Sequence, residues 1–519
     1  MEKRVIIAVA LSIAVLLGFN YLFPTSAPVK SKVAQAPASK AAPVAQATPA
    51  PAVSPTPAGT LPAPATAAEP EKTIVVDTDL YTGIISTHGG AIKSWKLKKY
   101  KDTSGKPIEM VTVLNGIAPL VVAPEGMDWR TAQNLPYKAD RESIELAGNS
   151  GQESLSLTCV TPDGKSIIKT LTFKNDGYDI GLDVKASGMK SYILYMGEDF
   201  GSVSSKEKKP FGHVGPLTMV DGEKHKDEPA KIEAEKSYSG AKGWTGVTDK
   251  FFMAVIIPSG GIKAVVGKGT SGMGYTGVMV SQPDEKFLVY AGPKEYDRLK
   301  ALDQNLSQAV DFGWFTFIAK PLFVALKYFY SIVKNWGWAI IILTIIVKLL
   351  FAPLTHKSQK SMKRMQKLQP LFAELKEKYK GDPQRMNQEM MALYKTHKVN
   401  PMGGCLPMLI QIPVFVALYN VLNLSVELRQ APFGLWLTDL SAKDPYYILP
   451  VLMGLSMLAM QKMTPSSMDS MQNKIMMFMP VMLTFMFISL PSGLVLYFTV
   501  SNLLSMAQQF YINKYSKDE

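Results

Sequence analysis

The sequence predicts a polytopic α-helical membrane protein with a large exported all-β domain and a cytoplasmic antiparallel helical hairpin. Uncharged stretches cluster after residue 335, short β-type runs fill residues 71–300, and an apolar seam lies within the basic segment 354–400. The 519 residues carry 56 Lys and Arg against 43 Asp and Glu, and 19% are charged while 47% are hydrophobic. This composition excludes a disordered or collagen-like chain, and two cysteines, Cys159 and Cys405, are too few for a disulfide scaffold.

The chain begins with a candidate membrane anchor. Residues 1–23 have a basic start followed by 19 residues without a charge. About 20 apolar residues of helix cross the hydrocarbon core of a bilayer. A secretory signal peptide starts in the same way, and cleavage near residues 25–27 is the alternative. Because the uncharged stretch is long for a signal peptide, we expect an uncleaved transmembrane helix.

Five further spans are predicted in the last 185 residues. The 39 uncharged residues from 475 to 513 are long enough for two helices, and Pro491 and Gly493 supply the turn between them. With the anchor, the sequence therefore predicts six spans. The five after the anchor are residues 335–353, 401–424, 446–461, 475–490 and 494–513.

The distribution of Lys and Arg predicts the orientation of these spans. Residues 354–400 hold 11 Lys and Arg against 4 Asp and Glu, whereas residues 425–445 hold 2 against 3. Since cytoplasmic loops are enriched in Lys and Arg, we expect the first segment inside and the second outside. The loop 462–474 and both termini, including the tail 514–519, then lie in the cytoplasm, and residues 24–334 are exported.

The exported part divides into a linker and a folded domain. Residues 24–70 contain 11 Pro and 15 Ala in 47 positions, a composition typical of an extended tether. Across residues 71–300, β-type runs alternate with turn signals such as Pro162–Gly164, which favours one large β-sandwich. A G-x-G-x-x-G spacing at residues 267–272 matches a dinucleotide-binding loop, but a strand-like run follows it, so we expect a glycine-rich hairpin.

Residues 301–334 connect the β-domain to the clustered spans. They are rich in Phe, Trp and Tyr, and Lys320, Lys327 and Lys334 follow one another at seven-residue spacing. This pattern favours an amphipathic helix that lies in the outer membrane–water interface. The alternative is an ordinary amphipathic helix packed on the β-domain.

The cytoplasmic segment 354–400 has the pattern of a helical hairpin. Apolar residues recur at spacings of three and four from Met365 to Tyr379, and Asp382 and Pro383 suit the cap and first turn of a returning helix. Its basic surface either docks ribosomal RNA or anionic lipid headgroups, or is a solvated surface that only sets topology. That surface comprises Lys360, Lys363, Arg364 and Lys367.

Lys348 is the most informative residue of the spans. A cation in a span costs about 2.5–3.5 kcal/mol on insertion scales and usually faces a polar cavity. Thr344 lies one turn earlier, but Pro353 is only five residues away, so snorkelling to the inner interface is the alternative. Polar residues on other spans favour a wet cavity, although each is singly more typical of a helix–helix hydrogen bond. They are Gln411, Asn420, Ser456, Thr499, Ser501 and Asn502.

The sequence contains no arrangement that indicates covalent catalysis. Its five histidines are scattered, and the spans show no metal-ligand cluster, phosphate-binding loop or activated nucleophile. We therefore expect no enzyme activity, catalytic residue, metal or cofactor.

Several segments with proline, glycine and aromatic residues form specific motifs. They are residues 290–296, 400–407 leading into 411–413, 425–433, 444–450 and 491–497. These motifs resemble the YidC/Oxa/Alb family of membrane protein insertases, in the Gram-negative form with a large periplasmic domain. The resemblance is densest over residues 320–515.

The resemblance implies five core helices around a hydrophilic groove, open to the cytoplasm and laterally to lipid, and a periplasmic β-supersandwich. It also implies an inner-membrane insertase and chaperone that inserts and helps fold integral membrane proteins, alone or with the Sec translocon. Nascent membrane proteins, the ribosome, the Sec translocon and anionic phospholipids are the implied partners, and DNA is not among them.

The chain departs from the family pattern in three places. Lys348 stands where the family usually has Arg, so it keeps the charge but loses the bidentate fork. Phe498 stands where a second tyrosine is expected, and Tyr497 beside it joins the expected polar lining of the groove. The tail 514–519 is short and neutral, so ribosome contact would depend on the cytoplasmic loops.

The resulting hypothesis is insertion without covalent chemistry. Lys348 attracts acidic residues in the polar flank of a substrate, and apolar residues of the third and fifth spans guide its hydrophobic segment into lipid. The guiding residues are Ile412, Phe415, Met486 and Phe487. The alternative is a small-solute transporter or channel, which predicts repeated spans and a gate on each side.

Overall fold

The computed structural model describes residues 70–102, 104–112, 116–148, 151–198, 200, 212–397, 399, 406–463 and 470–515. The predicted anchor 1–23 and the linker up to residue 69 lie outside the described residues. The start of the third predicted span and most of the tail 514–519 lie outside them as well.

The described part of the exported domain is almost entirely β-structure. Alternation of apolar and polar residues with period two produces strands that bury one face, as in Ser166–Lys174. The strands are β1 (Thr73–Asp77), β2 (Tyr81–Ser86), β3 (Ile92–Lys101), β4 (Pro107–Glu109), β5 (Val122–Pro124), β6 (Lys138–Ala139), β7 (Ser143–Glu145), β8 (Gln152–Val160), β9 (Ser166–Lys174), β10 (Asp179–Ser187), β11 (Tyr192–Gly197), β12 (Gly215–Val220), β13 (Glu223–Lys226), β14 (Lys236–Gly240), β15 (Gly243–Thr248), β16 (Phe252–Pro258), β17 (Ile262–Lys268), β18 (Gly274–Val280) and β19 (Asp284–Pro293).

These strands form three sheets. A five-stranded sheet has the order β4-β3-β2-β1-β7, a nine-stranded sheet β13-β12-β15-β16-β19-β10-β9-β8-β6, and a second five-stranded sheet β14-β17-β18-β11-β5. Within the nine-stranded sheet, β8 and β9 pair antiparallel from Gln152↔Lys174 to Val160↔Ser166, across the turn predicted at Pro162–Gly164. The prediction of a β-sandwich domain is confirmed.

The glycine spacing at residues 267–272 belongs to a β-hairpin, as predicted. β17 and β18 pair antiparallel up to Lys268↔Gly274. A side chain at Gly269 would overlap the carboxylate of Glu198, which accepts hydrogen bonds from the Ser271 N–H at 3.1 Å and hydroxyl at 2.6 Å. Gly272 has a φ of +82°, which favours glycine. Gly269 therefore makes room for the buried Glu198 carboxylate, and Gly272 allows the turn.

Helices dominate the described residues after β19. Short 3₁₀ turns occur at Pro229–Lys231, Leu306–Ala309 and Val426–Leu428. The helices are α1 (Trp129–Ala132) inside the β-domain, then α2 (Tyr296–Ala301), α3 (Thr316–Val333), α4 (Trp336–Lys367), α5 (Gln369–Lys378), α6 (Pro383–Thr396), α7 (Leu406–Leu424), α8 (Ile448–Met463), α9 (Ser470–Phe487) and α10 (Ser492–Tyr515).

The helices differ in extent from two predicted segments. Helix α4 continues beyond Pro353, the last residue of the predicted span, and runs to Lys367. The Thr355 hydroxyl contacts the carbonyl oxygens of Phe351 and Ala352 at 3.1 and 3.0 Å. The seam predicted from residue 365 is instead broken at Leu368, where Pro370 starts a new helix.

Helices α5 and α6 pack against each other in the segment predicted to be cytoplasmic. The rings of Phe372 and Tyr394 are 5.1 Å apart. Pro383 occupies the first turn of α6, and the Asp382 side chain accepts a hydrogen bond from the Arg385 N–H at 3.0 Å. The predicted cap at Asp382 is confirmed.

The segment 301–334, predicted as one interfacial helix, contains a 3₁₀ turn at Leu306–Ala309 and one α-helix, α3. Only Thr316–Val333 forms a long helix, with Phe323 and Leu326 on its buried face and Phe317 and Tyr328 72% and 62% exposed. The buried face packs against α4, α7 and the ring of Tyr296 rather than against the sheets alone. By length and composition, α3 and residues 336–365 are long and apolar enough to cross a membrane, and residues 411–424, 448–463 and 477–487 form shorter apolar helices.

Lys169 is a buried lysine at the centre of the β-domain. The alternation of β9 places it on the core-facing side, and its ammonium donates to the carbonyl oxygens of Gly89, Gly90 and Leu120 at 2.8, 2.6 and 2.9 Å. It also lies 4.7 Å from the centre of the Tyr137 ring. Burial lowers the pKa of Lys169 to about 7, and the three carbonyl oxygens oppose this by stabilising the ammonium form.

We expect Lys169→Met to destabilise the β-domain by about 3 kcal/mol, because it leaves three buried carbonyl groups without a donor. Chemical unfolding of the full chain in detergent, followed by tryptophan fluorescence, measures the change. The matched control is Lys185→Met on the neighbouring strand, where the lysine is exposed. Equal stability of the two variants would contradict a structural role for Lys169.

Candidate functional site

Helix α10 carries a row of polar side chains into the helical core. Tyr497, Ser501, Ser505 and Gln508 are spaced by four, four and three residues, so they lie on one side of the helix. We call this row the polar face. It is turned toward α4 and α7, because three of its members make hydrogen bonds to those helices.

Lys348 lies opposite the polar face. Its ammonium donates to the Ser505 hydroxyl at 2.7 Å, and the side chain is half-buried. Twelve residues of helix separate it from Trp336 at the start of α4, which is about 18 Å. The ammonium therefore contacts a neighbouring helix instead of extending along its own helix toward Pro353. Thr344 is buried, but its hydroxyl is satisfied by the Ile340 carbonyl of the same helix at 2.6 Å.

The remaining members of the polar face bond to two further residues. The Gln411 side-chain amide on α7 donates to the Tyr497 hydroxyl at 2.6 Å, and Tyr497 is 2% exposed. The Gln508 amide donates to the Thr355 hydroxyl on α4 at 2.8 Å. Polar contacts thus join α10 to two helices at three successive levels.

A second polar pair lies on the side of α10 that faces α8. The Asn502 amide is 3.4 Å from the Ser456 hydroxyl, which itself donates to the Met453 carbonyl at 2.6 Å. Thr499 is satisfied within its own helix by the Val495 carbonyl at 2.8 Å. These contacts are typical of helix–helix and intrahelical hydrogen bonds.

Asn420 lies apart from the other predicted lining residues. Its amide donates to the Phe312 carbonyl oxygen at 2.8 Å and contacts Gly313. This contact joins the end of α7 nearest the β-domain to the segment before α3. Helical spacing separates Asn420 from Gln411 by about 13 Å along the axis of α7, so the structure does not bring it to Lys348.

The predicted guiding residues differ in exposure. Ile412 and Met486 are 37% and 52% exposed, whereas Phe415 is half-buried and Phe487 is 5% exposed. Phe498 lies between the last two, with ring centres 5.0 Å from Phe415 and 4.8 Å from Phe487. Phe487 is thus part of an aromatic cluster in this state. The exposed side of α9 is formed by Met477, Phe478, Met482, Phe485 and Met486.

The predicted basic surface of the cytoplasmic segment is only partly free. The Lys363 ammonium donates to the Ile512 carbonyl near the end of α10 at 2.8 Å, and Lys360 is half-buried. Arg364 and Lys367 are exposed. Lys363 therefore ties α4 to α10, and Arg364 and Lys367 remain available to a partner.

Sequence reasoning missed Ser505, Gln508 and Thr355. The signal was present, because Ser501, Ser505 and Gln508 repeat at helical spacing in an uncharged span. Within the described residues, no group of three or more His, Cys, Asp or Glu side chains is placed to hold a metal ion.

Two family models match the chain. The 60Kd inner membrane protein model matches residues 328–519, and the YidC periplasmic domain model matches residues 73–325. The membrane protein insertase YidC of Geotalea daltonii is 43% identical over 99% of this chain and 99% of its own. The chain belongs to the YidC family of membrane protein insertases.

A second relative and one solved structure are also similar to the chain. The membrane protein insertase YidC of Syntrophus aciditrophicus is 42% identical over 99% of this chain and 100% of its own. A crystal structure of an active YidC insertase with the first transmembrane domain resolved is 21% identical, covers 86% of this chain and 95% of that chain, and has a TM-score of 0.40. Family membership confirms the resemblance read from the motifs and makes the β-sandwich a YidC periplasmic domain.

We expect Gln411 and Tyr497 to stabilise the YidC core as a pair. Separate and combined Gln411→Leu and Tyr497→Phe substitutions should show a coupling energy of about 0.6–1.7 kcal/mol, the range for interhelical hydrogen bonds in membranes. Unfolding in mixed micelles with increasing SDS measures it. The control cycle combines Tyr497→Phe with Asn502→Leu, whose hydrogen bonds are not shared, and additive effects in both cycles would contradict the bond.

Proposed function

We propose that this chain inserts membrane proteins by admitting the polar flank of a substrate into the inner half of the bilayer. The observation that carries the proposal is an asymmetry along the helical core. Toward the β-domain, α10 begins with the buried apolar residues Leu494, Val495 and Leu496, and polar contacts start at Tyr497 and continue to Gln508.

The neighbouring helices support the same asymmetry. On α4, Ile340 and Leu343 are buried before Lys348, and on α7, Leu418 and Val421 are buried after Gln411. Because the β-domain is periplasmic in this family, the apolar packing lies on the outer side and the polar contacts on the inner side. A solute channel needs a polar path through both halves of the bilayer. A groove that shortens the distance the polar flank must cross needs such a path only on the cytoplasmic side.

The energetics of insertion require no covalent step. A Leu-like residue gains about 0.3–0.6 kcal/mol on entering hydrocarbon, so some twenty of them outweigh a few polar residues. The barrier is the passage of the polar flank across the apolar slab. Lys348 lowers it by attracting acidic residues of the flank, and burial together with the membrane potential, about 2.3 kcal/mol per charge per 100 mV, supplies the drive.

The exit toward lipid lies beside the aromatic cluster. Met482, Phe485 and Met486 on α9 and Ile412 on α7 present exposed apolar side chains. Methionine side chains are flexible and polarizable, which suits a surface that contacts varied hydrophobic segments. Phe415 and Phe487 join this surface when Phe498 moves away.

The remaining elements of the proposal concern topology and partners. The chain has six spans with both termini in the cytoplasm, and helix α3 lies at the periplasmic membrane surface with Phe317 and Tyr328 toward lipid. The polar flank reaches Lys348 from a ribosome-bound nascent chain, and Arg364 and Lys367 on α4 contact the ribosome or anionic headgroups. The chain acts alone or beside the Sec translocon.

We expect Lys348→Glu to slow insertion of a single-span substrate with an acidic flank about tenfold or more. Two unit charges about 8 Å apart at an effective dielectric constant near 20 interact by about 2 kcal/mol, and the substitution turns attraction into repulsion. Reconstituted proteoliposomes and protease protection of the translocated flank measure the rate. The insertion rate of a substrate with a basic flank should decrease less.

The control is Lys357→Glu, which makes the same charge change on an exposed position of α4. Insertion by the Lys348→Glu variant at the wild-type rate would contradict a role for the charge. A fully active Lys348→Ala variant beside a slow Lys348→Glu variant would mean that a wet groove suffices and that only a negative charge is excluded.

We expect Arg364→Glu combined with Lys367→Glu to weaken ribosome binding about tenfold or more at low salt, since both side chains are exposed and phosphate contacts are electrostatic. Co-sedimentation of the full chain in nanodiscs with non-translating ribosomes measures the binding. Unchanged ribosome binding would contradict this role and would mean that Arg364 and Lys367 only determine the membrane topology.

A further inference from the structure

A cavity of about 240 Å³ lies where the β-domain meets the end of α7. It is separate from Lys348 and the polar face, since Asn420 and Leu424 are the residues of α7 that reach it. The other walls come from the turn between β15 and β16, from β12 and β13, and from the segment before α3. Its position brings together residues that are distant in the sequence.

Positive charge dominates the cavity walls. Lys224, Lys226, Lys250 and Lys294 line it, and Asp311 is the only carboxylate among the described lining residues. The Lys224 ammonium is 3.7 Å from the Asp311 carboxylate, and Lys226 contacts the same group. The Asp311 carboxylate therefore forms ion pairs with both Lys224 and Lys226.

The other two lysines are held by different groups. Lys294 is 8% exposed and donates to the Asp249 carbonyl oxygen at 2.5 Å, and burial lowers the pKa of Lys294 to about 8. The Lys250 ammonium lies 4.7 Å from the centre of the Phe251 ring. The Asp249 carboxylate accepts hydrogen bonds from the backbone N–H groups of Phe251 and Phe252 at 2.8 and 2.6 Å, and its charge attracts the Lys294 ammonium.

Lys224, Lys226 and Lys294 share two carboxylates, Asp311 and Asp249, which leaves an excess of positive charge among these groups in a recess that is partly removed from water. Crowding like charges in such a recess costs free energy, and an anion that enters it relieves that cost. A phosphate group matches this environment, because it accepts hydrogen bonds from several ammonium groups at once.

The surroundings indicate an amphiphilic ligand. Leu217, Val310 and Leu424 line the same cavity. Trp314, three residues after Asp311, is 90% exposed, and Phe317 on α3 is 72% exposed. Large exposed aromatic side chains at the start of an apolar helix are typical of the headgroup region of a membrane. The cavity thus opens beside the level at which outer-leaflet headgroups lie.

We propose that this cavity binds the phosphate group of an anionic phospholipid from the outer leaflet of the inner membrane. Lys224 and Lys226 contact the phosphate oxygens, and the buried Lys294 adds positive charge to the same recess. The glycerol backbone passes along Leu424 and Val310, and the acyl chains enter the bilayer next to α3. Bound lipid would link the β-domain to the membrane at a fixed position.

The test measures binding of phosphatidylglycerol to the full chain in zwitterionic micelles, by native mass spectrometry and by the shift in thermal unfolding. We expect Lys224→Gln combined with Lys226→Gln to weaken binding about 25-fold, since each lysine beside an anionic headgroup contributes about a factor of five. The control combines Lys185→Gln with Lys263→Gln, which lowers the total charge equally at exposed strand positions outside the cavity. It should bind as the wild type does.

Asp311→Asn provides a variant that does not remove a lysine. The proposal predicts tighter binding of phosphatidylglycerol, because the competing carboxylate is gone. A lysine–aspartate clamp without a ligand predicts a lower melting temperature and no gain in lipid binding. Equal weakening in the cavity and control variants would reduce the effect to net charge and overturn the proposal.

A further arm distinguishes the lipid from free phosphate. Inorganic phosphate at millimolar concentration in zwitterionic micelles should give less than a third of the thermal shift produced by phosphatidylglycerol. An equal shift with phosphate alone would make this a free-anion site and overturn the assignment to lipid.

Discussion

The helical core depends on one constraint, which is that a polar side chain inside a membrane must find its partner within the protein. The polar face of α10 meets this constraint by bonding to other helices: Tyr497 to α7, Ser505 to Lys348 on α4, and Gln508 to Thr355. These contacts set the rotation of α10 relative to its neighbours. The charge of Lys348 is consequently held at a defined depth in the core.

The same constraint explains why the polar contacts occur on one side only. Near the β-domain, the chain meets its polar requirements outside the helical bundle: the Gln430 side chain exchanges hydrogen bonds with the backbone of Lys101 at 3.1 and 2.8 Å. Arg429 donates to the Lys101 carbonyl at 3.1 Å and lies over the rings of Phe251 and Phe252. The hydrogen bonds between α10 and its neighbouring helices, in contrast, involve residues from Tyr497 onward.

Local sequence rules predicted the structural features that depend on residues close in the sequence. They did not predict contacts between segments that are distant in the sequence. The strands around Pro162–Gly164 and the cap at Asp382 follow from turn chemistry and capping, which act over a few residues. The apolar seam predicted from Met365 to Tyr379 is interrupted at Leu368, because Pro370 starts a new helix. The same alternation that predicts β9 also places Lys169 on its buried face, but its three carbonyl partners come from β-strand connections that no spacing reveals.

The candidate site divides in the same way. Gln411 and Lys348 were predicted as lining residues because polar groups in spans are costly, and that argument is independent of fold. The argument does not predict how deep in the membrane a residue lies. Asn420 was therefore grouped with Gln411 and Lys348, although it donates a hydrogen bond to the Phe312 carbonyl at the opposite end of α7. Conversely, the resemblance predicted a second tyrosine at position 498, and the half-buried Phe498 ring there packs between Phe415 and Phe487. The neighbouring Tyr497 hydroxyl accepts a hydrogen bond from Gln411, so adjacent positions of α10 take part in an aromatic contact and in a polar one.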